Sequence, residues 1–251
     1  MAAFDAMFFV FAIPAVVFAG VSKGGFGSGA AFASAAILAL VIEPGAALAL
    51  MLPLLMLIDL AALKPYWGRW NLRASLLLIA GGLPGVALGA WLYAAVNDEA
   101  MRVLIGAVSV GFVLWQLRSR FGLNVFARAP HSSGSGALAG VAVGFTSFVS
   151  HAGGPPAAVY LLSLKLRKTE YQASTVLIFW VINLAKAVPY AGLGLFTRET
   201  LLLDLILAPF ALLGAWLGVR LHHSIPERGF FVLTYVLLTA TGAKLIWDGL
   251  T

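Results

Sequence analysis

The pentapeptide Leu88-Gly89-Ala90-Trp91-Leu92 recurs unchanged as Leu213-Gly214-Ala215-Trp216-Leu217, an offset of 125 residues (213 − 88) in a chain of 251. An exact repeat at half the chain length points to an internal duplication. Other positions agree at nearby offsets: Ser22-Lys23 with Ser150-His151 (150 − 22 = 128), and Asp59 through Pro65 with Asn183 through Pro189 (183 − 59 = 124). A drift of a few residues is what loop insertions produce. Repeat one then covers about 1–120 and repeat two about 132–251, both inside a single membrane domain of 1–251.

The membrane reading comes from composition. Hydrophobic residues make up 61% and charged residues 10%, against roughly 25% charged in a soluble domain. Charge-free runs at 24–42, 74–96 and 132–150 each approach the ~20 residues that cross a bilayer core. They recur along the whole chain and leave no room for a soluble domain. Met1 to Asp5 carry no basic group, so the first apolar run reads as a retained helix rather than a cleaved signal peptide. Cysteine is absent, which removes disulfides, thiolate catalysis and cysteine metal sites.

The net charge of +6 is a matter of location. Eleven of sixteen Lys and Arg residues fall in four connections: Lys64, Arg69 and Arg73; Arg118, Arg120 and Arg128; Lys165, Arg167 and Lys168; Arg220 and Arg228. This is the pattern of cytoplasmic loops, not of nucleic-acid binding. The other connections, with Asp5, Glu43, Asp98, Glu99 and Glu199, are expected on the outer side, along with both termini.

Each half is predicted to hold a glycine-interrupted segment, about 5–42 and 134–164, followed by three helices: 45–64, 73–96 and 101–118, then 171–191, 199–220 and 228–247. Keeping every basic cluster on one side makes 134–164 enter and leave on the same side, as a re-entrant stretch or a hairpin. Its counterpart 5–42 then begins and ends on the other side, and the halves are inverted. The expectation is an all-α integral membrane protein of two inverted repeats with 8–10 membrane segments. Irregular backbone at membrane depth must be buried in protein or line a cavity. Paired interruptions in matching positions of two halves are therefore the best pointer to a transport site.

The first break reads Gly20-Val21-Ser22-Lys23-Gly24-Gly25-Phe26-Gly27-Ser28-Gly29, and the second Ser147-Phe148-Val149-Ser150-His151-Ala152-Gly153-Gly154-Pro155-Pro156. Pro155 suits a helix start, and amides at such a start attract anions. Neither break holds an acidic residue, so an anion is favoured over a cation, near the bilayer midplane between the two breaks. Ser22, Lys23, Gly24 and Gly25 with Ser150, His151, Gly153 and Gly154 are the expected substrate contacts. Ser28, Ser147, Asp59, Asn183 and Lys186 form a second rank. Against this, Lys23 could snorkel to an interface, His151 could bond a carbonyl in the bundle, and the glycines could serve helix packing alone.

Asp59 and Lys186 lie inside apolar runs, where charge is costly enough to imply function. Asp59 could take a coupling proton, pair with Lys64 or Lys186, or cap a helix; Lys186 could steer an anion or join an ion pair. Gly81, Gly85 and Gly89, and likewise Gly214 and Gly218, have the four-residue spacing of closely packed membrane helices. His222 and His223 beside Arg220 read as surface and not as a metal site. No phosphate loop, zinc helix or nucleophile elbow is present, so neither ATP-driven transport nor an enzyme is expected, and no cofactor.

The chain resembles the sulfite exporter TauE/SafE family of bacterial membrane permeases. The resemblance rests on Gly20 to Gly29, on Gly144-Phe145-Thr146 leading into the second break through Pro156, and on the paired Leu-Gly-Ala-Trp-Leu segments. It implies a multi-pass protein of the bacterial inner membrane that exports sulfite or a small organosulfonate such as sulfoacetate, with both termini periplasmic. The expected mechanism is a secondary carrier with alternating access to one central site, its partners a small anion and the bilayer. An anion-selective channel and a non-transporting scaffold or sensor subunit are the alternatives. Export of one negative charge down a 100 mV potential already gains ~2.3 kcal/mol, so uniport suffices, although His151 or Asp59 could couple a proton.

Overall fold

In the computed structural model residues 6–26, 30–120, 133–222 and 227–251 are described. They form ten α-helices and no strand: α1 Ala6–Val21, continued by a π-helical turn Ser22–Phe26; α2 Phe32–Leu38; α3 Pro44–Tyr66; α4 Leu72–Ala95; α5 Asp98–Arg120; α6 Ser133–Ser150; α7 Gly154–Ser163; α8 Lys168–Gly192; α9 Arg198–Leu221; α10 Glu227–Leu250. Among the described residues, six stretches are long and apolar enough to cross a membrane: Ala6–Phe26, Pro44–Tyr66, Leu72–Ala95, Asp98–Arg118, Lys168–Gly192 and Arg198–Leu221. Gly134–Ser150 is a shorter apolar helix.

Local chemistry sets the helix ends. The Asn71 side chain accepts from the Ala74 amide at 3.0 Å and starts α4. Thr197 and Thr200 form a reciprocal capping box at α9, satisfying amides that have no partner within the first turn. α3 opens on Pro44, which has no amide proton to strand there.

Corresponding elements of the two halves pack in corresponding ways. α1 lies on α9 and α6 lies on α4; α3 meets α9 and α8 meets α4; α5 pairs with α10 and α3 with α8. The helix faces in contact are glycine-rich. A Cβ on Gly81 or Gly85 would run into the carbonyls of Ala137 and Val141 on α6, and one on Gly214 or Gly218 into those of Val17 and Val21 on α1. Gly89 sits on Phe148, and its repeat equivalent Gly214 sits on Gly20, itself equivalent to Phe148. Such backbone approach gains dispersion contact where lipid offers no hydrophobic drive for helix association.

The two ends of the bundle differ in charge. Asn71 donates from its backbone to Ser174 Oγ at 2.9 Å and from its side chain to Glu170 Oε1 at 3.1 Å, and Lys168 Nζ donates to the His222 carbonyl at 2.8 Å. These contacts gather the connections bearing Arg69, Arg73, Lys165, Arg167 and Arg220 at one end, the basic end. At the other, Arg102 donates to the Ala39 carbonyl at 3.3 Å, Gly249 packs on Glu99, and Gly45 packs on Tyr93.

Candidate functional site

The first break is a π-turn rather than a clean interruption. α1 widens over Ser22–Phe26 because Gly24 and Gly25 press against the backbone of α9, where a Cβ would strike the carbonyls of Ala215 and Gly218. A π-turn frees carbonyls from the regular ladder, and each is met by a side chain from another helix. Gln172 Nε2 donates to the Lys23 carbonyl at 2.5 Å, Tyr66 Oη to that of Gly24 at 2.8 Å, and His222 Nδ1–H to that of Gly25 at 2.5 Å. With its backbone held this way, Lys23 extends inward, and its Nζ lies 2.7 Å from each carboxylate oxygen of Asp59 on α3.

The second break turns at His151, the residue after α6, whose φ of 55° is left-handed. α7 restarts at Gly154 with Pro155 in its first turn. His151 Nε2 faces the Leu48 carbonyl at 3.0 Å; a carbonyl only accepts, so Nε2 carries the proton and Nδ1 is the acceptor. Lys186 Nζ donates to that Nδ1 at 2.6 Å, to Ser147 Oγ at 3.2 Å and to Asn183 Oδ1 at 3.2 Å. Asn183 Nδ2 in turn donates to Asp59 Oδ2 at 2.8 Å.

Together these contacts make one buried polar chain running Lys23, Asp59, Asn183, Lys186, His151, with Ser147 at its far end. All six side chains are buried, Asp59 and Lys186 completely. Repeat-equivalent residues meet within it. Asp59 bonds Asn183, the residue matched to it by the 124-residue offset. The Lys23–Gln172 contact and the His151–Leu48 contact join equivalent positions, since 172 − 48 = 124. Tyr66 and Tyr190, also 124 residues apart, each donate to a carbonyl of a break-forming segment, Tyr190 to that of Phe148 at 2.8 Å.

Several sequence expectations change in detail. The breaks do not face each other across an open gap. The first lies toward the basic end, through Gly25 on Gly218 and His222, the second toward the other end, and the polar chain fills the space between. Asp59 pairs with Lys23, not with Lys64 or Lys186, so a carboxylate does stand at the first break although that segment contains none. Gly24, Gly25 and Gly153 serve packing; a Cβ on Gly153 would meet Phe179 and the Val143 carbonyl. Gly154 is the buried first residue of α7, and Ser150 turns back to the Thr146 carbonyl at 3.1 Å. Ser22 is buried within the π-turn. Ser28 and His223 lie outside the described residues. His222 is buried, not surface, because its imidazole holds Gly25.

Sequence reasoning passed over Gln172, Tyr66, Tyr190 and Asp204. The tyrosines extend the Asp59–Pro65 match by one residue and could have been found there. Asp204 met the same rule that singled out Asp59, being an acid within an apolar helix. It is buried, and neither carboxylate oxygen has a hydrogen-bond partner. Nothing in the sequence marked Gln172.

The polar chain holds two lysines and one carboxylate, formally one positive charge in excess when each group carries its ordinary charge. Lys23 is neutralised at contact distance. The hydrogen-bond partners of Lys186 are all neutral. A cavity of about 390 Å³ opens from the basic end and reaches the first break, bounded by Gly25, Phe26, Lys168, Gln172 and His222.

Searches of curated proteins and of solved structures returned no match. Comparison with protein families matches residues 12–245, nearly the whole chain, to the family described as Sulfite exporter TauE/SafE. The chain therefore belongs to the sulfite exporter TauE/SafE family, and is a multi-pass membrane transport protein and not an enzyme.

Proposed function

We propose that the protein is a secondary carrier that exports sulfite or a small organosulfonate across a bacterial inner membrane, with Lys186 as the cation that binds the anion. The observation that carries this reading is the charge count of the buried chain. A lysine fully removed from water and bonded only to neutral acceptors is costly, and a bound anion is the natural partner to offset that cost. Ser147 Oγ, the Asn183 amide and Lys186 Nζ would then supply the donors to the anion, while His151 holds Lys186 in place. The Lys23–Asp59 pair ties the first break to α3 and is self-neutral.

The two halves are proposed to be inverted repeats about an axis near Asp59 and Asn183. The exchange pattern of helix packing and the direct contact of equivalent residues support this. Rocking one half against the other would then expose the site to each side in turn. The cavity at the basic end is the entrance on the cytoplasmic side, in keeping with the positive charge around it.

The test is counterflow of labelled sulfite in proteoliposomes carrying wild type or Lys186→Met. Wild type is expected to exchange labelled for unlabelled ion with saturation. The variant is expected to lose about 30-fold or more, the typical cost of deleting one partner of a buried charged contact. Flux without trans-stimulation would instead indicate a channel, and no flux of any sulfur oxyanion would overturn the cargo.

A further inference from the structure

Beside the entrance lies a second and larger cavity of about 660 Å³, which the anion reading leaves unused. It is enclosed by α5, α6 and α7, and its walls are almost wholly apolar, among them Val108, Leu138, Ala139, Ala142 and Val159. The two cavities adjoin. Phe112, Trp115 and Pro155 line both, so a thin partition of two aromatic rings and one proline ring separates a polar chamber with Lys168, Gln172 and His222 from an apolar one. Leu138, at the wall of the apolar chamber, is 74% exposed; that chamber therefore opens sideways, through helices of membrane-spanning length, onto what would be the lipid phase.

An ion the size of sulfite fills a small fraction of either chamber and offers nothing to an apolar wall. A joined polar and apolar pair of this size matches a ligand with an acidic head and a hydrocarbon tail. Resting on the anion-carrier reading, we infer that the protein accepts amphiphilic organosulfonates, the sulfonate seated in the chamber beside Gly25 and Gln172 and the alkyl chain passing Phe112 and Trp115 into the chamber lined by Ala142. Burying each added methylene there strengthens binding about fourfold. A membrane lipid tail occupying the same apolar chamber is the competing occupant, and the experiment separates the two.

The experiment measures binding of methane-, butane- and hexanesulfonate by calorimetry to the full chain in nanodiscs, in wild type and in Ala142→Trp, alongside counterflow of labelled methanesulfonate. Ala142 is an exposed position on α6 that faces the apolar chamber, so the larger ring fills the chamber without entering the core. Wild type is expected to bind more tightly with each methylene. Ala142→Trp is expected to bind all three alike, with methanesulfonate binding unchanged as the check on folding. Equal affinity for all three chains in wild type, or a chain-length dependence that survives Ala142→Trp, overturns the inference. So does equal binding of hexyltrimethylammonium, which would show partition of any tail as a lipid tail partitions.

Discussion

Asp59 and Asn183 occupy equivalent positions in the two halves and bond to each other, yet one brings a charge and the other does not. The same holds around them. Lys23 faces its equivalent His151 from the opposite end of the polar chain, Gln172 answers Leu48, and Lys186 stands where the first half has Ala62 (186 − 124). The scaffold is shared and the electrostatics are not. The first half closes its charges on itself as an ion pair, whereas the second carries a lysine whose partners are neutral. The matched positions thus differ in charge, one side closing an ion pair and the other placing a lysine among neutral partners.

The comparison breaks most sharply if the halves are made alike. Asp59→Asn gives both halves the same residue and strips the one carboxylate from the buried polar chain, leaving its two buried lysines; a loss of about 3–5 kcal/mol in thermal unfolding is expected. Removing the pair together, in Lys23→Met with Asp59→Leu, is expected to recover most of that loss, because neither member of the pair is then left buried without the other.

At the packing level the halves are expected to behave alike. Gly89→Ala and Gly214→Ala, at equivalent positions of the two glycine seams, should each cost about 1–3 kcal/mol. Gly111→Ala, with no atom within 4 Å of its added Cβ, should cost nothing. A large difference between the two seam variants would show that the seams are not equivalent.

Smaller effects separate backbone from side chain at the second break. Since His151 is left-handed, both variants lose the imidazole, but His151→Gly also relieves the strain of about 1 kcal/mol that a Cβ bears there and His151→Ala keeps it. The unfolding free energies of the two variants should differ by that amount, the glycine variant being the more stable. Asp204 has no counterpart acid, its equivalent being Ile79 (204 − 125), and no hydrogen-bond partner. Asp204→Asn is therefore expected to leave stability unchanged or to raise it by up to about 1 kcal/mol.

The helices were readable because a bilayer-length apolar run admits few conformations, and the predicted ranges for α3, α4, α8 and α9 fall within three residues of the observed ends. The breaks were readable because glycine clusters have few other uses inside such runs. The partners were not. Which carboxylate meets Lys23 depends on how α1 is rotated against α3, and that rotation is set by Gly24 and Gly25 lodging on α9, a contact between residues almost two hundred positions apart. The glycines of the breaks left both a ligand contact and helix packing open, because a small residue leaves the same sequence signal whether a ligand or a helix backbone fills the space. His222 was misread for a related reason. A histidine in a basic connection looks exposed until the carbonyl of Gly25 is placed beside it.

The central claim is that Lys186, not Lys23, holds the transported anion, and sulfite counterflow in two variants tests it most directly. Lys23→Met with Asp59→Leu removes the latch and leaves Lys186 intact; Lys186→Met does the reverse. The expected result is saturable counterflow in the first variant and its loss in the second. Counterflow that survives in Lys186→Met and vanishes when the Lys23–Asp59 pair is removed would contradict the account and move the anion site to the first break.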